Sequence, residues 1–176
     1  DIGKMSAVLE DYSPIQVGTA GVHDGVNFTV VGRIQQRYAA GTWNEWYLLF
    51  DDASTAWLGD SSSLYTMTRE RKANGALPAF AELRPGQQYT INGEPYTAAE
   101  VRSGECIAGQ GELPFKVGSG WRIQVADLRN YASFATLDYT DGPQPVLYQG
   151  VAVTLEGMQC QLLRDQEAIA RTAGKY

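Results

Sequence analysis

Glu45 and Glu112 are the residues whose type and setting come nearest to a recognisable chemistry. Glu45 stands in Trp43-Asn44-Glu45-Trp46-Tyr47 and Glu112 in Gly111-Glu112-Leu113-Pro114-Phe115. Each follows an Asx-Gly turn and an aromatic-threonine pair at nearly the same distance. Asp24-Gly25 and Phe28-Thr29 precede Glu45, and Asn92-Gly93 and Tyr96-Thr97 precede Glu112. Two carboxyl groups facing one another across a cleft can act as acid and base, or as acid and nucleophile, on a glycosidic bond. Asp127, in Val125-Ala126-Asp127-Leu128, is a third carboxylate. In the competing reading each Glu accepts backbone N–H bonds beside the glycines and braces a turn in its own copy of the motif. The sequence favours that second use.

Other chemistries are thinner. His23 is the only histidine, so any Ser-His-Asp or Cys-His mechanism passes through it, yet it sits in the turn His23-Asp24-Gly25, a setting that solvates its side chain. Cys106 and Cys160 form no CxxC, and with one histidine they fall short of the four ligands of a structural zinc site. They read as structural thiols in a reducing, cytoplasmic setting, in a chain large enough to need no disulfide. No metal and no cofactor is expected. Gly109-Gln110-Gly111-Glu112 and Gly118-Ser119-Gly120 lack the Lys-Ser/Thr of a phosphate loop and read as hairpin turns. Arg69, Arg71 and Lys72 read as a solvated loop face.

These residues must be held by β structure. Clusters of β-branched and aromatic residues, Asn27 to Val31, Glu45 to Phe50, Thr55 to Leu58, Trp121 to Val125, Phe134 to Tyr139 and Gln149 to Leu155, alternate with Gly and Asx reversals. In such a strand Trp46 and Tyr47 point to opposite faces. Trp46 and Trp57 read as core, whereas Trp43 and Trp121, beside glycines at strand starts, are either buried or displayed. The repeated Asx-Gly motif predicts a duplication of a unit too small to bury its own face, so that two copies pack together. The expected fold is all-β and mostly antiparallel, with two related β-rich halves packed as a barrel or sandwich and short helices at the termini. The expected organisation is an N-terminal helix or linker over 1–17, a first half over 18–68, a connection over 69–84, a second half over 85–163 and a C-terminal helix or linker over 164–176.

The chain has 176 residues, 44% apolar and 19% charged, enough for a proper core. Fourteen Lys and Arg against twenty Asp and Glu give a net charge of −6, which repels phosphate backbones and argues against nucleic acid as a partner. No apolar run reaches the length of a membrane span, so membrane contact is expected only through segments outside this stretch. A start on Asp1 predicts a piece of something longer or a processed product.

Phe28 to Gln35, Gly41 to Asp52, Trp57-Leu58 and Gly109 to Phe115, in that order and spacing, resemble the bacterial domain of unknown function 4178 family. The likeness runs from about Gly18 to Leu163. Asp1 to Met5 resembles the segment that follows a small zinc ribbon in longer members, some of them with membrane spans. The resemblance implies a β-rich, non-catalytic module of a multidomain, membrane-associated or cytoplasmic bacterial protein, and it brings no active-site residues.

The functional expectation is therefore a binding or assembly module. Trp43, Glu45 and Trp46, with Glu112, Pro114 and Phe115, would grip a protein partner or a neighbouring domain through aromatic anchors and a carboxylate. The alternative is a glycan hydrolase working through Glu45 and Glu112. The two readings part on whether both carboxyl groups line one pocket.

Overall fold

The computed structural model describes residues 11–61, 64–115 and 120–165. Its ten strands are β1 (Ala20–His23), β2 (Val26–Tyr38), β3 (Gly41–Phe50), β4 (Thr55–Ser61), β5 (Leu64–Arg71), β6 (Gln88–Ile91), β7 (Glu94–Gly111), β8 (Trp121–Asn130), β9 (Ser133–Asp138) and β10 (Val146–Val153). They form one antiparallel sheet in the order β1-β2-β3-β4-β5-β10-β9-β8-β7-β6. A further pairing of β2 with β7 closes eight of them into a barrel and leaves β1 and β6 as extra strands. The all-β, antiparallel expectation therefore holds, and the barrel is the form it takes.

The closure follows from local chemistry. β1 turns into β2 through Asp24-Gly25, with φ of 50° and 77°, and β6 turns into β7 through Asn92-Gly93, with φ of 52° and 79°. These are the two-residue turns whose twist suits a hairpin, and Asx and Gly are the residues that accept them. β2 and β7 are then long enough to change partner. Each carries a bulge, between Val30 and Gly32 in one and between Ala98 and Glu100 in the other. A bulge adds twist and bends the strand, which lets β2 leave β1 and pair with β7. At the seams the walls come close. A Cβ on Gly32 would lie 1.8 Å from the Glu112 carbonyl oxygen, and one on Gly150 would lie 1.7 Å from that of Met67, so no side chain fits.

Alternation along the strands gives the barrel an inside and an outside. Outward residues of β2 to β5, among them Phe28, Val30, Trp46, Leu48, Phe50, Leu58 and Met67, form one buried cluster that Ile15 and Met158 close over from flanking segments. Outward residues of β7 to β10, among them Tyr96, Leu128, Leu137 and Leu147, form a second that Leu83 covers with Leu77 and Phe80. A third cluster joins Ile34, Tyr38, Cys106, Ile123 and Val125 to Trp43, Trp57 and Leu113 inside the barrel. The apolar burial that holds the molecule together is thus mostly on the outside of the barrel wall, under the chain that wraps it.

Two expectations need correction. The connection starts after Arg71 rather than at Arg69, because β5 keeps pairing with β10 as far as Arg71; beyond it lies a single 3₁₀ turn at Phe80–Glu82, with the Ala79 N–H donated to the Glu82 carboxylate at 3.0 Å. Gly109 and Gly111 are not in a hairpin turn but in β7, opposite Ile34 and Gly32, where absent side chains permit the close seam. Residues 11–17, within the stretch expected as helix or linker, run along the first cluster without helix and insert Ile15. The rest of the expected terminal helices falls on 1–10 and 166–176, outside the described residues.

Candidate functional site

β3 presents Trp43, Glu45 and Tyr47 to the interior and Asn44, Trp46 and Leu48 to the outer cluster. The interior assignment rests on charge contacts across the barrel: Glu45 on β3 senses Arg102 on β7 and Asp138 on β9, and Tyr148 on β10 senses both Glu45 and Asp138. These contacts across the barrel agree with the alternation along β3, which turns Glu45 inward and the buried Trp46 and Leu48 outward. Glu45 lies against Gly59, where a Cβ would stand 3.4 Å from its carboxylate. Among the described residues no group hydrogen-bonds to that carboxyl. Burial pushes it up to about 7; Arg102 draws it down, and the Asp60 and Asp138 carboxylates raise it. Glu45 is therefore poised to hold or release a proton near neutral pH.

Arg102 is the interior cation. Its guanidinium lies over the Trp43 ring at 4.0 Å and the Tyr38 ring at 4.7 Å. It donates to Asp127, whose other oxygen accepts the Thr136 hydroxyl at 2.9 Å. Its Nε is buried against the rings and has no hydrogen-bond partner. The Tyr38 hydroxyl donates to the Gln36 side chain at 2.8 Å, and burial raises its pKa to about 12. Asp127, the third carboxylate of the sequence, is committed to this ion pair and is not a free acid.

A second group of residues stands at one mouth of the barrel. Ring centroids step from Tyr47 to Trp57 at 4.8 Å, from Trp57 to Phe115 at 6.0 Å and from Phe115 to Trp121 at 6.2 Å. The first two rings sit on β3 and β4; the last two flank the link between β7 and β8. Phe115 is 44% and Trp121 38% exposed. Pro114 and Glu112 are exposed beside them, the Glu112 N–H donating to the Val31 carbonyl at 2.7 Å.

The six residues expected to form one patch are thus distributed over three places. Trp43 and Glu45 share the interior. Glu112, Pro114 and Phe115 share the mouth. Trp46 is 1% exposed on the far side of the wall, with its indole N–H donated to Asp60 at 3.1 Å and Arg33 over its ring at 4.7 Å. Glu45 and Glu112 do not occupy corresponding positions either. Glu45 is opposite Ile34 and Gly59, and the residue placed likewise on β8 is Val125, opposite Arg102 and Asp138. Glu112 lies beyond the end of β7. The apparent match arose because β7 is 18 residues long and β2 only 13, so equal counting reaches different elements.

Two groups escaped the sequence reading. Arg102 gave a weak signal, since the following Ser103-Gly104 reads as a turn, whereas β7 runs through it. The outer network of Arg33, Asn44 and Asp11, with Arg33 to Asp11 at 2.6 Å and to Asn44 at 2.9 Å, gave none, because Asp11 is remote in sequence. Cys106 and Cys160 are free thiols, and burial raises the Cys106 pKa to about 11. No group of three or more His, Cys, Asp or Glu suited to a metal occurs among the described residues, and none of their helices is long and apolar enough to cross a membrane.

The sequence model of the family described as Domain of unknown function (DUF4178) matches residues 16–155. The chain belongs to this family. The matched span contains all ten strands, the interior group and the aromatic mouth. No curated protein and no solved structure matches the chain.

Proposed function

We propose that this DUF4178 domain is a non-catalytic binding module that holds a protein segment at its aromatic mouth. The observation that carries the reading is the exposure of Phe115 and Trp121 on a base of inward rings, Trp57 and Tyr47. Covering the exposed part of each ring would gain a fraction of the roughly 1.5–3 kcal/mol that full burial brings, and a rigid ring backed by others loses little entropy when a partner covers it. Pro114 and Glu112 supply the apolar and charged rim that such a contact uses.

The glycan-hydrolase alternative needs two carboxyl groups across one cleft. Glu45 faces the barrel interior, while Glu112 is open to solvent outside the barrel end, so the two line no common cleft, which argues for binding over catalysis by this pair. The matching turns and bulges of the two meanders favour a duplicated unit as the origin of the barrel. Unpaired thiols favour a reducing, cytoplasmic setting.

Panning a displayed random-peptide library against the chain tests the reading, with affinities read from tryptophan fluorescence. Selected peptides should lose affinity by about tenfold or more on Phe115→Ala or Trp121→Ala. A library that yields no binder, or binders that both substitutions leave unchanged, overturns it.

A further inference from the structure

The two end strands of the sheet are finished differently. β1 is covered on its outer edge by the chain that follows β10: the Ala20 N–H donates to the Gln161 carbonyl at 3.0 Å, the Gln161 N–H returns the bond at 2.8 Å, and the Val22 N–H donates to the Met158 carbonyl at 2.7 Å. β6 stands in the same relation to β7 as β1 does to β2. The approach to each strand is alike as well. Gly18 and Gly86 both have positive φ and both donate to the neighbouring strand, at Val30 and Ala98, at 2.8 Å.

In β6 the turn at Asn92-Gly93 makes Ile91 and Tyr89 exchange ladder bonds with Glu94 and Tyr96. The N–H and C=O groups of Gln88 and Thr90 therefore point away from the sheet, as those of Ala20 and Val22 do in β1. Both residues are exposed, and no strand lies beyond β6 among the described residues. The segment after β5, which would have to cover this edge by analogy with the one after β10, is held by side chains, at the Asn92 turn and by the Tyr89 hydroxyl, which accepts the Arg84 N–H at 3.1 Å, and bonds none of the outward backbone groups of β6. Pro78 accepts the Tyr139 hydroxyl at 2.6 Å, and Asn92 holds the Lys72 carbonyl and the Asn74 N–H at 2.9 and 2.7 Å. Monomeric proteins blunt an open edge by keeping it short or with a charge, a proline or a bulge; β6 is four residues long, and Gln88-Tyr89-Thr90-Ile91 carries no charge, proline or bulge.

We propose that β6 pairs with β6 of a second copy of the chain, antiparallel and about a two-fold axis at Tyr89. The free groups fall on two residues separated by one. A strand that presents this pattern is complementary to itself when reversed, with Gln88 of each copy exchanging both backbone bonds with Thr90 of the other. The edge side chains are uncharged, so the net charge of −6 on each copy is not concentrated at the contact. This surface is separate from the aromatic mouth and does not depend on it.

Sedimentation equilibrium of the 176-residue chain, from micromolar to near-millimolar concentration, tests the proposal. The wild type should show a monomer–dimer equilibrium. Thr90→Pro removes an outward N–H and leaves the β7 ladder intact, so it should weaken the dimer about tenfold or more. If that variant does not fold, the pair Gln88→Lys and Thr90→Lys, which sets like charges across the axis, should have the same effect and lose it in high salt. A wild type that stays monomeric throughout, or folded edge variants that dimerise as the wild type does, would overturn it.

Discussion

The two faces of the barrel wall are built on opposite plans. Outside it, Leu48, Leu128 and Leu137 have no exposed surface and belong to the two apolar clusters. Inside it, Glu45, Arg102, Asp127, Thr136, Asp138 and Tyr148 keep part of theirs, and four of these six are ionisable as acid or guanidinium. β3 shows the contrast within one strand, with Trp46 and Leu48 outward and Glu45 and Tyr47 inward. The difference teaches that closing a sheet does not oblige the fold to keep its main core in the interior. Where flanking segments bury the outer face, the interior is released from that duty and can hold charge.

The largest test of this division is to hollow the outside. Leu48→Ala and Leu137→Ala should each cost about 3 kcal/mol or more of unfolding free energy in urea titrations, one for each outer cluster, because both sites lie between packed layers and collapse poorly. Equal losses would show that the two clusters support the barrel alike; a negligible loss in either would break the comparison.

Next in size is the pH dependence of the interior. The Glu45 carboxyl stands at about 7 in the folded barrel against an ordinary 4.5, so between those values the folded state binds the extra proton. Its contribution to stability is present at low pH and is lost as pH rises through about 7, by about 3 kcal/mol in all. Glu45→Gln should flatten that part of the stability profile and leave the chain more stable than the wild type at pH 8. A profile unchanged by the substitution would place Glu45 in contact with solvent. The smallest effect is expected at Glu112→Ala, within about 0.5 kcal/mol, since its carboxylate is exposed and only its backbone is engaged.

Much of the architecture was legible because it is written in short-range chemistry. Asp24-Gly25 and Asn92-Gly93 declare hairpins, and the β-branched clusters around Phe28, Leu48 and Val125 declare strands, with no knowledge of the rest of the chain. Partner choice was not legible. Nothing in the residues of β2 says that it leaves β1 for β7 after Val31, and without that pairing Gly109 and Gly111 resemble a turn. The candidate site suffered most, because it depends on which alternate residues face inward. Trp43 and Glu45 do so together as their spacing requires, but the same spacing puts Trp46 behind the wall. Glu112 was matched to Glu45 by counting along strands of unequal length. Arg102 could be placed over Trp43 only once β2, β3 and β7 were known to be neighbours.

The double seam has a consequence for how the molecule comes into being. β2 joins β7 and β5 joins β10, so each meander ends on both sides against strands of the other, and every contact at a seam spans a long stretch of chain. Loop closure of that kind is costly in entropy until both seams form together, which makes for a slow, concerted folding step with little to gain from partial assembly. A nick in the exposed stretch around Asn74-Gly75, between the meanders, would cut no strand. The two resulting pieces should recombine on mixing into one closed barrel.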